Sequence, residues 1–186
     1  YIKLSKESVI VNCGLGYGGE ILLFKDAKKI FHIDPEGDIR LNRIVKESIK
    51  HINTEHIFIK KGLYSMVTDE FHIMDNYRNT SIEKGNKFYW HGHSDKKKCE
   101  FSTLKDVIND YKIDKIDLIK SDITGTERYI VDDLIYLCNK FRPQIAISSY
   151  MSNQNEDKFI LDDIVDIPYK LMNALKDYSF FIGHYS

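Results

Sequence analysis

The chain has little cysteine, almost no net charge and no long apolar run. Three cysteines are scattered along 186 residues, and their spacing fits neither a metal site nor a disulfide framework, which suits a reducing compartment. The net charge of −1 gives no electrostatic argument for binding nucleic acid or an anionic membrane. No stretch approaches the ~20 apolar residues of a membrane span, and no signal peptide is visible.

Length and punctuation predict a simple organisation. A chain of 186 residues is expected to form one domain with a full core, spanning residues 1–186. Residues 66–100 are polar and mixed, and are interpreted as an irregular insertion. The chain opens on Tyr1 rather than Met, so a fragment or one domain of a longer polypeptide is an expectation. The sequence shows no internal repeat and no low-complexity segment.

A glycine-rich stretch stands near the start of the chain. Residues 9–11 have the composition of a buried strand, four glycines follow within residues 14–19, and an apolar stretch begins at Glu20. A strand, a glycine turn and a helix start can cradle a nucleotide cofactor, since glycine permits positive φ and close approach to the backbone. The same pattern also fits an ordinary surface turn between a strand and a helix.

The next predicted strand, residues 29–33, ends in Asp34. This carboxylate lies twenty residues after Gly14 (34 − 14), about where a dinucleotide or nucleoside site places its acidic residue. A carboxylate at the end of a strand can accept hydrogen bonds from both ribose hydroxyls. The alternative is an exposed Asp-Pro-Glu-Gly turn.

Predicted strands and helices then alternate. Further strands are expected at residues 56–60, 115–120, 144–150 and 178–183. Helices are expected at residues 38–52, from Ser102 or Thr103 onward, at 127–141 and at 162–177. This alternation predicts an α/β fold with a doubly wound, mostly parallel sheet, whose ligand lies at the carboxyl ends of the strands.

Several motifs occur in the order found in the FkbM-type methyltransferases, which the chain resembles over nearly its whole length. They are the glycine-rich opening, residues 33–35, residues 102–106, residues 116–127 and the terminal His-Tyr-Ser at residues 184–186. The resemblance implies the class I methyltransferase, Rossmann-like fold and the cofactor S-adenosylmethionine. It is least specific over residues 66–100.

The chain departs from that family pattern at three positions. Asn12 stands where the first strand usually ends in an acid, Thr124 stands where Glu is usual, and Met151 replaces a His found in some relatives. Asn12 cannot pair with the cofactor's ammonium as a charge. Glu20, at the helix start, is a candidate to compensate.

The resemblance and the strand ends together nominate the site residues. The cofactor-binding candidates are Asn12, Gly14, Gly16, Gly18, Asp34 and Asp122. The catalytic candidates are Asp122, His184 and Glu127. Asp122 and His184 suit proton transfer from an acceptor hydroxyl, but Asp122 also fits a helix N-cap, Glu127 fits a partner of the helix dipole, and His184 fits a packed histidine. No metal site is indicated, because no second carboxylate stands near Asp122.

The leading hypothesis is an S-adenosylmethionine-dependent O-methyltransferase acting on a hydroxyl of a sugar, a glycan or a small metabolite. The alternatives are a nicotinamide-dependent oxidoreductase and a non-catalytic Rossmann-like domain. Tyr64, Tyr89 and Trp90 hint at a flat acceptor such as a sugar ring. The expected partner is a small-molecule or carbohydrate acceptor, with no nucleic acid and no membrane, in a cytoplasmic enzyme. A homodimer or a place in a multidomain chain stays open.

Overall fold

A computed structural model describes residues 2–67, 72–76, 79–83, 96–123, 126–149, 160–181 and 183. In chain order the strands are β1 (Val9–Cys13), β2 (Lys29–Ile33), β3 (Glu55–Ile59), β4 (Gly62–Leu63), β5 (His72–Asn76), β6 (Asn79–Glu83), β7 (Lys96–Lys98), β8 (Phe101–Ser102), β9 (Leu118–Ser121) and β10 (Gln144–Ile147). The α-helices are α1 (Arg43–Ile49), α2 (Leu104–Asp110), α3 (Glu127–Phe141) and α4 (Ile160–Ala174), and 3₁₀ helices span Gly19–Phe24 and Gly37–Arg40.

The central sheet has five parallel strands in the order β10-β9-β1-β2-β3. The chain therefore moves outward from β1 to β3 and then returns to the other side of β1. The strand order reverses between β1 and β9, and this reversal creates the crevice where α/β sheets bind ligands. The predicted α/β class with a mostly parallel sheet is confirmed, and the strand order is consistent with a Rossmann-like fold.

Each strand presents alternate side chains to two different layers. Odd-numbered positions such as Val11, Phe31 and Ile119 belong to the main core, which also contains buried residues of α2, α3 and α4. On the other face, Ile10, Ile30 and Leu118 pack with Phe24 and Ala27. A separate cluster on the side of the glycine turn joins four buried residues, Leu15, Ile21, Leu41 and Val45.

The segments after the first two strands differ from the prediction. The helix expected from Glu20 is the six-residue 3₁₀ helix Gly19–Phe24. The helix expected at residues 38–52 is divided into the 3₁₀ helix Gly37–Arg40 and the seven-residue α1. The division arises because Leu41 and Asn42 take extended ψ values of 129° and 142°, and the Asn42 side chain accepts a hydrogen bond from the Ile44 amide, which starts α1 anew.

The predicted sixth strand, residues 178–183, is wrong for the part that the structure describes. Residues 178–181 and 183 form no strand. The Tyr178 amide donates to the carbonyl of Leu175, and its hydroxyl donates to the carbonyl of Cys138. Tyr178 and Phe180 pack against the main core instead of pairing with a neighbouring strand. Aromatic residues are common in strands, but these two are partly buried in the core without forming one.

Part of the segment 66–100 forms regular structure. Strands β6, β5 and β7 make an antiparallel sheet. Strand β4, which precedes them in the chain, pairs in parallel with β8, which follows them. None of the described helices has both the length and the apolar composition that crossing a bilayer requires.

Candidate functional site

The glycine turn after β1 uses its glycines in two different ways. Gly14, Gly16 and Gly18 all have positive φ, at 85°, 50° and 80°. A Cβ atom on Gly14 would overlap the carbonyl oxygen of Asp122, and one on Gly18 would overlap the side chain of Leu41. A Cβ atom on Gly16 would meet nothing within 4 Å. Gly14 and Gly18 are therefore needed for internal packing, whereas Gly16 borders open space.

Asp34 ties the end of β2 to this turn. Its side chain is buried, and its Oδ2 accepts a hydrogen bond from the Leu15 amide at 3.0 Å. Its Oδ1 accepts from the Glu36 amide at 2.9 Å. The structure thus brings Asp34 and the glycine turn together, as the spacing predicts. It also gives Asp34 a structural role that the sequence did not suggest.

Asp122 follows β9 on the other side of the crevice. Its amide donates to the carbonyl of Cys13 at 2.9 Å, so the ends of β1 and β9 are joined directly. Glu127 is buried, and its carboxylate accepts from the Ile123 amide at 2.7 Å. Thr126 closes the same turn by donating its hydroxyl to the Ile123 carbonyl. Glu127 therefore holds the turn that presents Asp122.

A row of polar side chains crosses the sheet on the face that carries the 3₁₀ helix Gly19–Phe24. Asn12 on β1 is in register with His32 on β2 and Lys120 on β9. Asn12 Nδ2 lies 3.2 Å from His32 Nδ1, and His32 Nε2 lies 3.0 Å from His56 Nδ1. The two imidazole rings lie edge to edge and nearly coplanar, with an interplanar angle of 8° and 5.3 Å between centroids. The polar row was missed from sequence, although each member stands at the same alternating position of its strand.

The row ends at a charged pair beneath the glycine turn. Lys120 Nζ lies 2.6 Å from Glu20 Oε1 and donates to the carbonyl of Gly14 at 3.2 Å. Asn12 Nδ2 reaches the same Glu20 oxygen at 3.4 Å. Glu20 thus places a carboxylate beside the end of β1, where Asn12 carries no charge. Lys120 neutralises much of that charge.

The hydrogen-bond partners assign which nitrogen of His32 carries the proton. A carboxylate only accepts, so Asn12 must turn its amide nitrogen towards Glu20 and donate its other N–H to His32 Nδ1. His32 then carries its proton on Nε2 and donates it to His56. Burial, with His56 and Lys120 as smaller causes, lowers the pKa of His32 to about 3. Burial also lowers the pKa of His56.

The network leaves two buried polar atoms without a hydrogen bond within the protein. They are Asn12 Oδ1 and His56 Nε2. Such atoms cost stability when nothing satisfies them. Asn12 Oδ1 belongs to β1, the strand that leads into the glycine turn, and His56 Nε2 belongs to the edge strand β3.

The described thiols show no reactive character. Cys13, Cys99 and Cys138 are all buried and unpaired. Burial raises the pKa of Cys13 to about 12 and raises the pKa values of the other two. Each thiol therefore stays protonated and unreactive near neutral pH. Among the described side chains, no three His, Cys, Asp or Glu residues come together as a metal site requires.

A cleft of about 350 Å³ opens at the opposite edge of the sheet. It is lined by residues at the starts of β1 and β2, including Val9 and Lys29, and by residues that follow α2, including Lys112. Its position at the amino ends of the strands separates it from the glycine turn.

Other sequence candidates cannot be placed. His184, Thr124, Met151, Tyr89 and Trp90 lie outside the described residues. Their predicted roles stay predictions. Comparison of the chain with protein-family models, with curated proteins and with solved structures finds no match.

Proposed function

We propose that the protein binds S-adenosylmethionine at the crevice between β1 and β9 and transfers its methyl group to a hydroxyl of a sugar, a glycan or a small metabolite. Three structural features support this. The strand order reverses there, the turn after β1 is glycine-rich, and Asp34 and Asp122 lie at the carboxyl ends of β2 and β9. The sequence resemblance to FkbM-type methyltransferases suggests the same cofactor.

One observation carries the choice of cofactor. The amides of Gly14, Leu15 and Gly18 already donate to protein oxygens, and the element after the turn is a six-residue 3₁₀ helix. A dinucleotide pyrophosphate needs backbone N–H groups and a helix N-terminus. Besides the Glu20–Lys120 ion pair, the crevice offers the carboxylates of Asp34 and Asp122. S-adenosylmethionine carries a sulfonium and an ammonium that give it a net positive charge. The electrostatics therefore favour this cofactor over a nicotinamide dinucleotide.

The residues present fit such a cofactor. The open side of Gly16 leaves room against the backbone, and the Asp34 carboxylate stands where ribose hydroxyls are bound in sheets of this order. Glu20 would take the ammonium in place of the acid that β1 lacks, with Asn12 orienting its carboxylate.

Asp122 would act on the acceptor. When bound, the cofactor supplies a methyl group activated by the sulfonium. Asp122 would accept the proton of the acceptor hydroxyl, a contribution of typically about 10²–10⁴-fold in rate. The short turn that Glu127 holds would keep the Asp122 carboxylate in place for this step.

Calorimetric titration tests the proposal. S-adenosylhomocysteine, its analogue lacking the α-amino group, and NAD would be titrated into wild-type protein and into the Glu20→Gln variant. We expect micromolar binding of S-adenosylhomocysteine and no binding of NAD. Glu20→Gln should weaken S-adenosylhomocysteine binding about tenfold, since a charged hydrogen bond is lost, and should leave the deaminated analogue unchanged. The matched control is Glu7→Gln, because Glu7 is exposed and forms an ion pair with Lys28 at the opposite edge of the sheet.

The Glu20–Lys120 ion pair also favours a second candidate, a non-catalytic Rossmann-like domain. An ammonium already held by the protein, 2.6 Å from Glu20, competes with any ammonium of a ligand. If neither S-adenosylhomocysteine nor NAD binds, this second candidate replaces the methyltransferase. Binding of NAD alone would instead indicate an oxidoreductase.

A further inference from the structure

Two tyrosines from distant parts of the chain are in contact. Tyr64 directly follows β4, and Tyr129 lies in the first turn of α3. Their ring centroids are 4.4 Å apart and the ring planes are tilted by 47°. This geometry lies between the offset-stacked and edge-to-face arrangements that aromatic pairs prefer. Tyr129 keeps 39% of its surface exposed.

The backbone on both sides of the pair is held firmly. The Tyr64 amide donates to the carbonyl of Ser102, and the Tyr129 amide donates to the carbonyl of Thr126. Phe101, fully buried, lies so close to Gly62 that a Cβ atom there would overlap its ring. The tyrosine pair therefore rests on a packed base rather than on a loose loop.

The pair connects the two sides of the proposed site. The segment between β7 and β8 contacts the turn after Asp34, because the Cys99 thiol lies 3.7 Å from the Pro35 carbonyl oxygen. Tyr64 packs against this segment, in one cluster with Cys99 and Phe101. Tyr129 lies two residues beyond Glu127, whose carboxylate holds the turn that carries Asp122. Tyr64 thus belongs to the Asp34 side of the crevice and Tyr129 to the Asp122 side.

We propose that Tyr64 and Tyr129 form the platform on which the acceptor binds, and that the acceptor is a pyranose ring of a glycan. This inference rests on the proposed methyltransferase function and narrows its acceptor from a sugar, a glycan or a small metabolite to a pyranose ring. A tyrosine ring combines an apolar face with a polar hydroxyl. A pyranose has the complementary surface, with an apolar face of C–H groups and a rim of hydroxyls. Because Tyr129 lies just beyond the turn that carries Asp122, we expect a hydroxyl of a ring held there to face Asp122.

The test measures glycan binding and cofactor binding separately. Wild-type protein, Tyr129→Ala and Tyr136→Ala would be applied to a printed array of hexose and deoxyhexose oligosaccharides, with and without S-adenosylhomocysteine. Tyr136 is the matched control, because it is an equally exposed tyrosine about two turns further along α3 and has Lys105 over its ring. The same samples would be titrated with S-adenosylhomocysteine.

We expect wild type and Tyr136→Ala to retain the same pyranose glycan, and Tyr129→Ala to bind it about tenfold more weakly. S-adenosylhomocysteine should bind all three proteins equally. Absence of any bound pyranose on wild type, or equal binding by Tyr129→Ala, would overturn the platform even if the cofactor binds. Weaker cofactor binding by Tyr129→Ala would assign the rings to the cofactor and also overturn it. Loss of cofactor binding by all three proteins, with glycan binding still dependent on Tyr129, would reject the methyltransferase and keep the platform.

Discussion

Asn12 illustrates how a single residue changes the interpretation of a site. From sequence, it is a missing acid at the end of the first strand. In the structure, its amide links the Glu20 carboxylate to the His32 imidazole, and Lys120 holds the same carboxylate. Strand alternation predicts that these residues share a face, but their contacts depend on which strands are neighbours. The sequence therefore pointed to Asn12 and Glu20, which the structure brings into contact, but not to Lys120 or the two histidines.

Asp34 provides a prediction at the scale of one residue. Replacing Asp34 with Asn leaves one oxygen for two backbone donors, because the amide nitrogen cannot accept from Leu15 or Glu36. We expect Asp34→Asn to lower the free energy of unfolding by about 2 kcal/mol, measured by urea denaturation. Asp38→Asn, an exposed neighbour, should change it little. Equal stabilities of the two variants would contradict the role of Asp34 in holding the glycine turn.

His32 gives a prediction for pH dependence. Its pKa is about 3 in the folded protein and near 6.5 when unfolded, so the unfolded state binds more protons between these values. The contribution of His32 to the free energy of unfolding is therefore fully present above the pKa of the unfolded state and is lost as the pH drops below that value. For this one group the loss is about 2 kcal/mol between about pH 7 and pH 5.

The measurement is urea denaturation of wild type and His32→Gln across that pH range. His32→Gln should lose clearly less stability on acidification than wild type, because the titrating group is gone. His51→Gln, at an exposed histidine, should follow the wild-type curve. Parallel curves for wild type and His32→Gln would show that His32 does not titrate as described.

Among the elements, the glycine turn contains glycines that packing requires and one, Gly16, that borders open space. Gly16→Ala places a methyl group in open space at φ 50° and should cost about 1 kcal/mol in unfolding free energy. Gly14→Ala adds an overlap with the Asp122 carbonyl and should cost about 3 kcal/mol or more. Thermal unfolding of both variants compares them directly. A Gly14→Ala protein as stable as Gly16→Ala would show that the ends of β1 and β9 are not packed as described.

The elements also show why sequence patterns succeed or fail. The bounds of α3 agree with the prediction, because Arg142, at φ 58°, and Pro143 end the helix locally. The helix predicted at residues 38–52 was divided by a local cap at Asn42 that periodicity alone does not reveal. Residues 178–181 have strand composition, but Tyr178 and Phe180 pack against the main core through their side chains, an outcome decided by tertiary contacts. Sequence patterns therefore predict helix ends that neighbouring residues determine, but not structure that depends on tertiary contacts.

For the whole molecule, ligand binding should appear as added stability. At a concentration one hundred times its dissociation constant, a ligand specific for the folded state adds about 2.7 kcal/mol. For a chain of this length we expect S-adenosylhomocysteine to raise the Tm by about 5–10 °C. NAD at the same concentration should leave the Tm unchanged. A larger shift with NAD than with S-adenosylhomocysteine would reverse the choice of cofactor.

The helices that cover the two faces of the sheet differ in length. One includes α3 and α4, fifteen residues each, while the glycine-turn side is covered by a six-residue 3₁₀ helix and the seven-residue α1. Short helices with few buried side chains open at a lower free energy than long ones. Among the helices that the structure describes, amide hydrogen exchange should therefore be faster over Gly19–Phe24 and α1 than over α3. The cofactor would then enter through the face that opens first, and its binding would close the fold's weakest side.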